Sequence, residues 1–157
     1  MPALTNPEVA KGFTHVFKFD YLDLQTTGFL STLGAANQKI IASVPPGGIV
    51  DRCEVINLTA EAGTSDLTLD VGVTAADPDE FIDNLDLDAL TYASFNTGDA
   101  FVGTDSGSAT TVNVVNGYIN NASTAKSVYM ELNGTVANLT AGEWIIGLRI
   151  ADLGSAA

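Results

Sequence analysis

The sequence predicts an all-β protein: an antiparallel β-sandwich or jelly-roll-like barrel of seven to nine strands, with one short helix near residues 78–84. Three observations predict it. Short apolar stretches alternate with polar residues at a period of two, as half-buried strands require. Clusters of glycine, proline, asparagine and serine punctuate them at close spacing. No apolar segment with helical period joins successive strands, so the βαβ unit of a parallel sheet has no counterpart here.

The elements follow in order. Residues 1–14 carry two prolines, a glycine and no steady period, and read as an N-terminal arm. A single domain spans 15–153, and 154–157 is a frayed tail. In "HVFKFDYLDL" Phe17, Phe19 and Tyr21 share one face, and Lys18 and Asp20 share the other. "TTGFLSTLGAAN" is a loop that covers one end of the barrel with Phe29 and Leu33. "QKIIASV" is a strand stopped by "PPGG", because proline donates no ladder hydrogen bond. "IVDRCEVINLTAE" is a long strand with polar residues on both faces, which calls for a bulge or for packing on both sides. "DLTLDVGVT" alternates cleanly, with Leu67, Leu69, Val71 and Val73 facing the core.

"ADPDEF" reads as a helix start. Asp77 caps, Pro78 suits the first turn, and Glu80 completes a capping box. Phe81 and Leu85 then fall on one helical face, giving a helix from Pro78 to Asn84. Further strands are expected at Ala89 to Phe95, Ala100 to Val102 and Thr110 to Ile119, with a bulge or bend at Asn116 and Gly117. "SVYMELNG" turns Val128, Met130 and Leu132 inward. "TAGEWIIGLRIADL" closes the domain, with Trp144, Ile146, Leu148 and Ile150 on one face.

The bulk properties narrow the partners. The 157 residues are 46% hydrophobic, enough for one domain with a real core. Nineteen acidic residues against six basic ones leave a net charge of -13. Such a charge repels phosphate backbones and anionic lipid, so no nucleic acid and no membrane is expected as partner. No stretch reaches 18 apolar residues, and "MPALTNPEVAKG" has no apolar core of a signal peptide. Cys53 is the single cysteine, so no internal disulfide forms; its place in a strand marks it as a buried hydrophobe.

No constellation of side chains specifies chemistry. Asp77, Asp79, Glu80, Asp83, Asp86 and Asp88 lie within twelve positions, but the glycine of a calcium-binding EF-hand loop is missing. The capped helix accounts for them better. His15 is the sole histidine, too few for a histidine metal centre, and no serine sits in a G-x-S-x-G elbow. Among 19 acids some carboxylate pair always suits a glycosidase, so that signal discriminates nothing. Neither "PPGG" nor "GTDSGS" has the lysine of a phosphate loop. The expectation is no catalytic residue, no metal ligand and no cofactor. Four N-x-S/T matches, at Asn57, Asn121, Asn133 and Asn138, follow from composition.

Two segments carry a family resemblance. "GGIVDRCEVINLTAEAGTSDLTLDVGVTAADPDEFIDNLDL" runs from a strand after "GG" through a small-residue turn to an "L-x-V-G" strand and an acidic, alanine-rich stretch. "NGTVANLTAGEWIIGLRI" leads an "L-T-A-G" turn into a tryptophan-bearing last strand. Together they cover about two-fifths of the chain and resemble small β-rich head proteins of tailed bacteriophages, the capsid decoration or cement proteins and head-fibre bases. The resemblance implies a non-enzymatic virion structural protein, a jelly-roll-like homotrimer on the capsid surface. Its partner would be the major capsid protein, and assembly would take place in the cytoplasm of the bacterial host. Tail, neck and fibre roles remain open alternatives.

The residues expected to meet a neighbour are Pro2, Leu4 and Phe13 of the arm, and Phe29, Leu30 and Leu33 of the apolar loop. Each of these equally suits capping of the chain's own core. Tyr129 is out of phase with Val128 and Met130 and faces outward. Outward aromatics serve protein interfaces and also sugar binding, so the alternative is a carbohydrate-binding or adhesin-type module with a glycan as partner, read through Tyr118 and Tyr129.

Overall fold

Strand alternation closes the chain into two antiparallel sheets. The computed structural model describes residues 12–64, 66–87, 92–94 and 118–152, with backbone only for 92–94. The strands are β1 (His15–Asp20), β2 (Gln38–Val44), β3 (Gly48–Ala62), β4 (Thr68–Gly72), β5 (Ile82–Asp86), β6 (Tyr92–Ser94), β7 (Tyr118–Ile119), β8 (Lys126–Asn133) and β9 (Ala141–Asp152). Sheet A has the order β1-β9-β3-β6, with β7 also on β3, and sheet B the order β2-β8-β4-β5. The pairs β1·β9, β2·β8, β3·β6 and β4·β5 alternate between the sheets, as in one long hairpin rolled up on itself. That strand order is a jelly roll.

Strands β6 and β7 share one edge of β3. Ser94 pairs with Glu54, and Tyr118 pairs with Val50. The two therefore fill a single strand position in two pieces, with residues 95–117 between them in the chain. The strands expected at Ala100 to Val102 and over most of Thr110 to Ile119, with the bend at Asn116 and Gly117, lie outside the described residues.

The core comes from the predicted alternation. Phe19, Val55, Leu69, Met130, Trp144 and Ile146 are almost completely buried between the sheets. Each such side chain contributes about 1.5–3 kcal/mol on leaving water. Phe19 lies 5.3 Å from Trp144, centroid to centroid, and 5.5 Å from Phe17. Strand β3 pairs with β9 along most of its length, with register shifts after Val50, Asn57 and Thr59. These irregularities let one strand carry inward residues on both sides of its polar positions.

Two local expectations are overturned. No helix spans 78–84: Ile82–Asp86 is strand β5, paired with β4. Glu80 does not close a capping box. Its carboxylate accepts the backbone N–H of Val73, and the Thr74 hydroxyl donates to it. Asn84 adopts a left-handed φ of 51°, which no helix tolerates. The edge of β4 offered ladder hydrogen bonds, and a helix of two turns is too short to be stable alone. The α-helix of the described residues is instead α1 (Tyr21–Gln25), where Tyr21 was expected to extend the strand. Asp20 caps it by accepting from Asp23 N at 2.9 Å, and the Asp23 carboxylate returns a bond to Asp20 N. Among the described residues no helix is long and apolar enough to cross a membrane.

Candidate interaction surfaces

The outer face of sheet A is built from positions between the core residues. Register places Val16 beside Gly147, Lys18 beside Ile145, and Ile56 on the other side of Ile145. Three of the six basic residues stand here, each beside an acid. Lys18 pairs with Glu143, Arg52 with Glu54 at 2.6 Å, and Arg149 with Asp51 through two hydrogen bonds. The face is thus close to neutral in a chain of net charge -13. Phe13 lies across it, its ring 4.5 Å from the Arg52 guanidinium. A Cβ on Gly147 would stand 2.7 Å from that ring, so a glycine is required there for the ring to lie on the sheet. Thr14 ties the same segment to β9, accepting from Ile150 N at 2.8 Å. Ile145, only 3% exposed, sits on this outer face, outside the core cluster.

The outer face of sheet B differs in kind. One row across it is Ile40, Tyr129 and Gly72; the next is Gln38, Glu131 and Asp70. Ile40 is 47% exposed, and Tyr129 beside it is half-buried. The second row is buried and polar. Gln38 accepts from Gly34 N and Ala35 N and donates to the Ala75 carbonyl and to Glu131. Asp70 accepts from the backbone N–H of Asn84 and from the Asn133 amide. Burial pushes the Asp70 carboxyl up to about 6, and Asp83 and Glu131 add to the shift against those two bonds.

The residues expected to meet a neighbour are scattered. Pro2 and Leu4 lie outside the described residues. Phe13 rests on its own sheet. Phe29 and Leu30 pack partly buried against the core, with Lys39 4.3 Å over the Phe29 ring, while Leu33 is 46% exposed. Tyr129 faces outward as its phase requires. Tyr118 turns to the core and meets Phe81 edge-on at 5.9 Å, so the two tyrosines form no common platform.

Candidate chemistry is dispersed as well. Among the described residues no three His, Cys, Asp or Glu side chains gather as metal ligands. In the acidic stretch, Asp79 is raised by burial and by Asp77, Glu80 and Asp83, while Asp88 lies outside the described residues. An open cavity of about 260 Å³ is lined by Asp20, Tyr21, Thr59, Ala141, Gly142 and Glu143. Its two carboxylates are already engaged, Asp20 as the cap of α1 and Glu143 with Lys18. His15 is exposed at the edge of β1 beside the Thr14 hydroxyl. Cys53 is buried, and burial first, then Glu54, pushes its thiol far above the ordinary range. The paired carboxylates Asp70 and Glu131 were missed at the level of sequence. Their only signal there was one acid at an outward position of each of two apolar strands.

Fold and surfaces together define a jelly-roll β-sandwich whose polar side chains chiefly bind its own backbone and one another. No protein-family model matches the sequence, and no significant match was found among curated proteins or solved structures.

Proposed function

We propose that this chain is a non-enzymatic virion structural protein. In this reading it is a capsid decoration or cement protein that binds the outer surface of a capsid lattice as a homotrimer, with the major capsid protein as partner. The strand order carries the reading. Jelly rolls serve repeatedly as capsid domains. The two segments that resemble phage head proteins become β3 to β5 and β9, and β3 pairs with β9. The resemblance thus covers adjacent central strands rather than unrelated turns. The nearly neutral outer face of sheet A is the surface that could meet an acidic neighbour at least electrostatic cost. The test is to mix purified protein with expanded capsids assembled without it. Stoichiometric occupancy at local symmetry axes is expected. Absence of binding to any capsid or tail part would end the proposal.

A second reading rests on Ile40 and Tyr129, since jelly rolls also serve as lectins. A carbohydrate-binding module would bind a glycan saturably, and Tyr129→Ala would weaken it. No binding across a broad glycan panel would remove this alternative.

A further inference from the structure

We infer that Asp70, buried opposite Glu131 on the outer face of sheet B, is a proton-gated latch: it is closed while Asp70 carries a proton and loosened when that proton leaves.

The two are direct partners in the β4·β8 register, and their exposures are 4% and 8%. Like charges opposite one another across a ladder destabilise it, and burial adds the cost of desolvating both. A nearby cation would relieve this, but among the described bases none faces the pair. Lys18, Arg52 and Arg149 lie on sheet A, and Lys39 sits over Phe29. Lys126 is at the far end of β8, opposite Val44. The other charged groups on this side, among the described residues, are also acids. Asp83 of β5 repels Asp70, Asp86 of β5 stands opposite Thr68, and Glu80 of the 73–81 loop is held by Val73 and Thr74. The donors that do reach the pair, Asn84 N, the Asn133 amide and the Gln38 amide, are all neutral. A proton kept on Asp70, the more deeply buried of the two, lowers the charge.

The proton is coupled to the backbone. Asp70 sits where the β4·β5 register shifts, and its carboxylate holds the N–H of left-handed Asn84. Glu131 holds Gln38, which ties Gly34, Ala35 and Ala75. Asp70 thus reaches one backbone N–H of β5, and Glu131 meets the amide that ties 34–38 to Ala75. The folded carboxyl titrates higher than the unfolded one, from 3.8 to about 6, so the native state binds more protons across that window. The contribution is fully present below the lower value and is lost as pH rises through about 6. Acidification from neutral pH tightens the latch. The inference does not depend on the proposed function.

Side-chain carboxyl NMR of the wild-type protein between pH 8 and 4 tests it directly. The Asp70 carboxyl is expected to titrate near 6. The protection factor of the Asn84 amide should rise roughly tenfold or more on going from neutral to mildly acid pH. Asp70→Asn mimics the neutral acid and should give high protection independent of pH. An ordinary midpoint for the Asp70 carboxyl, or a wild-type pH response retained in Asp70→Asn, would overturn the inference. If a variant fails to fold, the wild-type titration decides alone.

Discussion

Gln38 and Glu131 stand opposite one another across β2 and β8, and the Gln38 amide donates to the Glu131 carboxylate while its oxygen holds two loop N–H groups. Gln38 is fully buried although it lies on the outer face of its sheet. Gln38→Leu would keep the volume and remove every one of these bonds, leaving Glu131 without its amide donor. A loss of about 2–4 kcal/mol is expected, from chemical denaturation at neutral pH. A loss below about 0.5 kcal/mol would show that the 34–38 loop is held by other contacts.

Gly142 and Trp144 make a second close contact. Gly142 has φ 143°, and a Cβ there would fall 2.2 Å from the indole ring. Gly142→Ala must displace the ring or the strand, and a cost of about 3 kcal/mol or more is expected from strain and overpacking together. Trp144 is the single tryptophan and is fully buried, so its fluorescence reports the event. The native emission should be blue-shifted and poorly quenched by iodide, and the variant should shift toward the red.

Cys53 is expected to be inert in the folded protein. It is completely buried, and its thiol is held protonated. Labelling by a thiol reagent should proceed only as fast as the sandwich opens globally, and should become complete in denaturant. Rapid labelling under native conditions would mean that the edge of β3 opens locally.

Asp79 lies among Asp77, Glu80 and Asp83, and burial followed by these three charges raises its carboxyl. A raised carboxyl favours the folded state at low pH and weakens it as pH rises. Asp79→Asn should therefore stabilise the protein at neutral pH by roughly 0.5 kcal/mol once solvent screening is allowed for. The gain should shrink in added salt and vanish under acid conditions where both forms are neutral. Thermal melts of the two proteins at matched pH and ionic strength measure it.

The strands were legible because period-two burial is written directly in residue order. Val128, Met130 and Leu132 face inward, as do Trp144, Ile146, Leu148 and Ile150, and Tyr129 turns out as its phase demands. The error at 78–84 has a local cause. Asp77, Pro78 and Glu80 make a good helix start, but the competing partner was the β4 edge, contributed by residues about a dozen positions earlier. Helix α1 was missed for the converse reason. Its cap and box are two aspartates inside a stretch whose aromatics continue the strand period.

By itself, then, residue order determined the all-β class, the inward faces and the strongly acidic balance, because each depends on composition or on neighbours two positions apart. Tertiary structure alone decided the rolled-up strand order, the ion-paired face of sheet A and the meeting of Asp70 with Glu131. Those depend on which strands lie side by side. Asp70 and Glu131 are 61 residues apart in the chain, and only the β4·β8 register makes them neighbours in a buried row that none of the described bases faces.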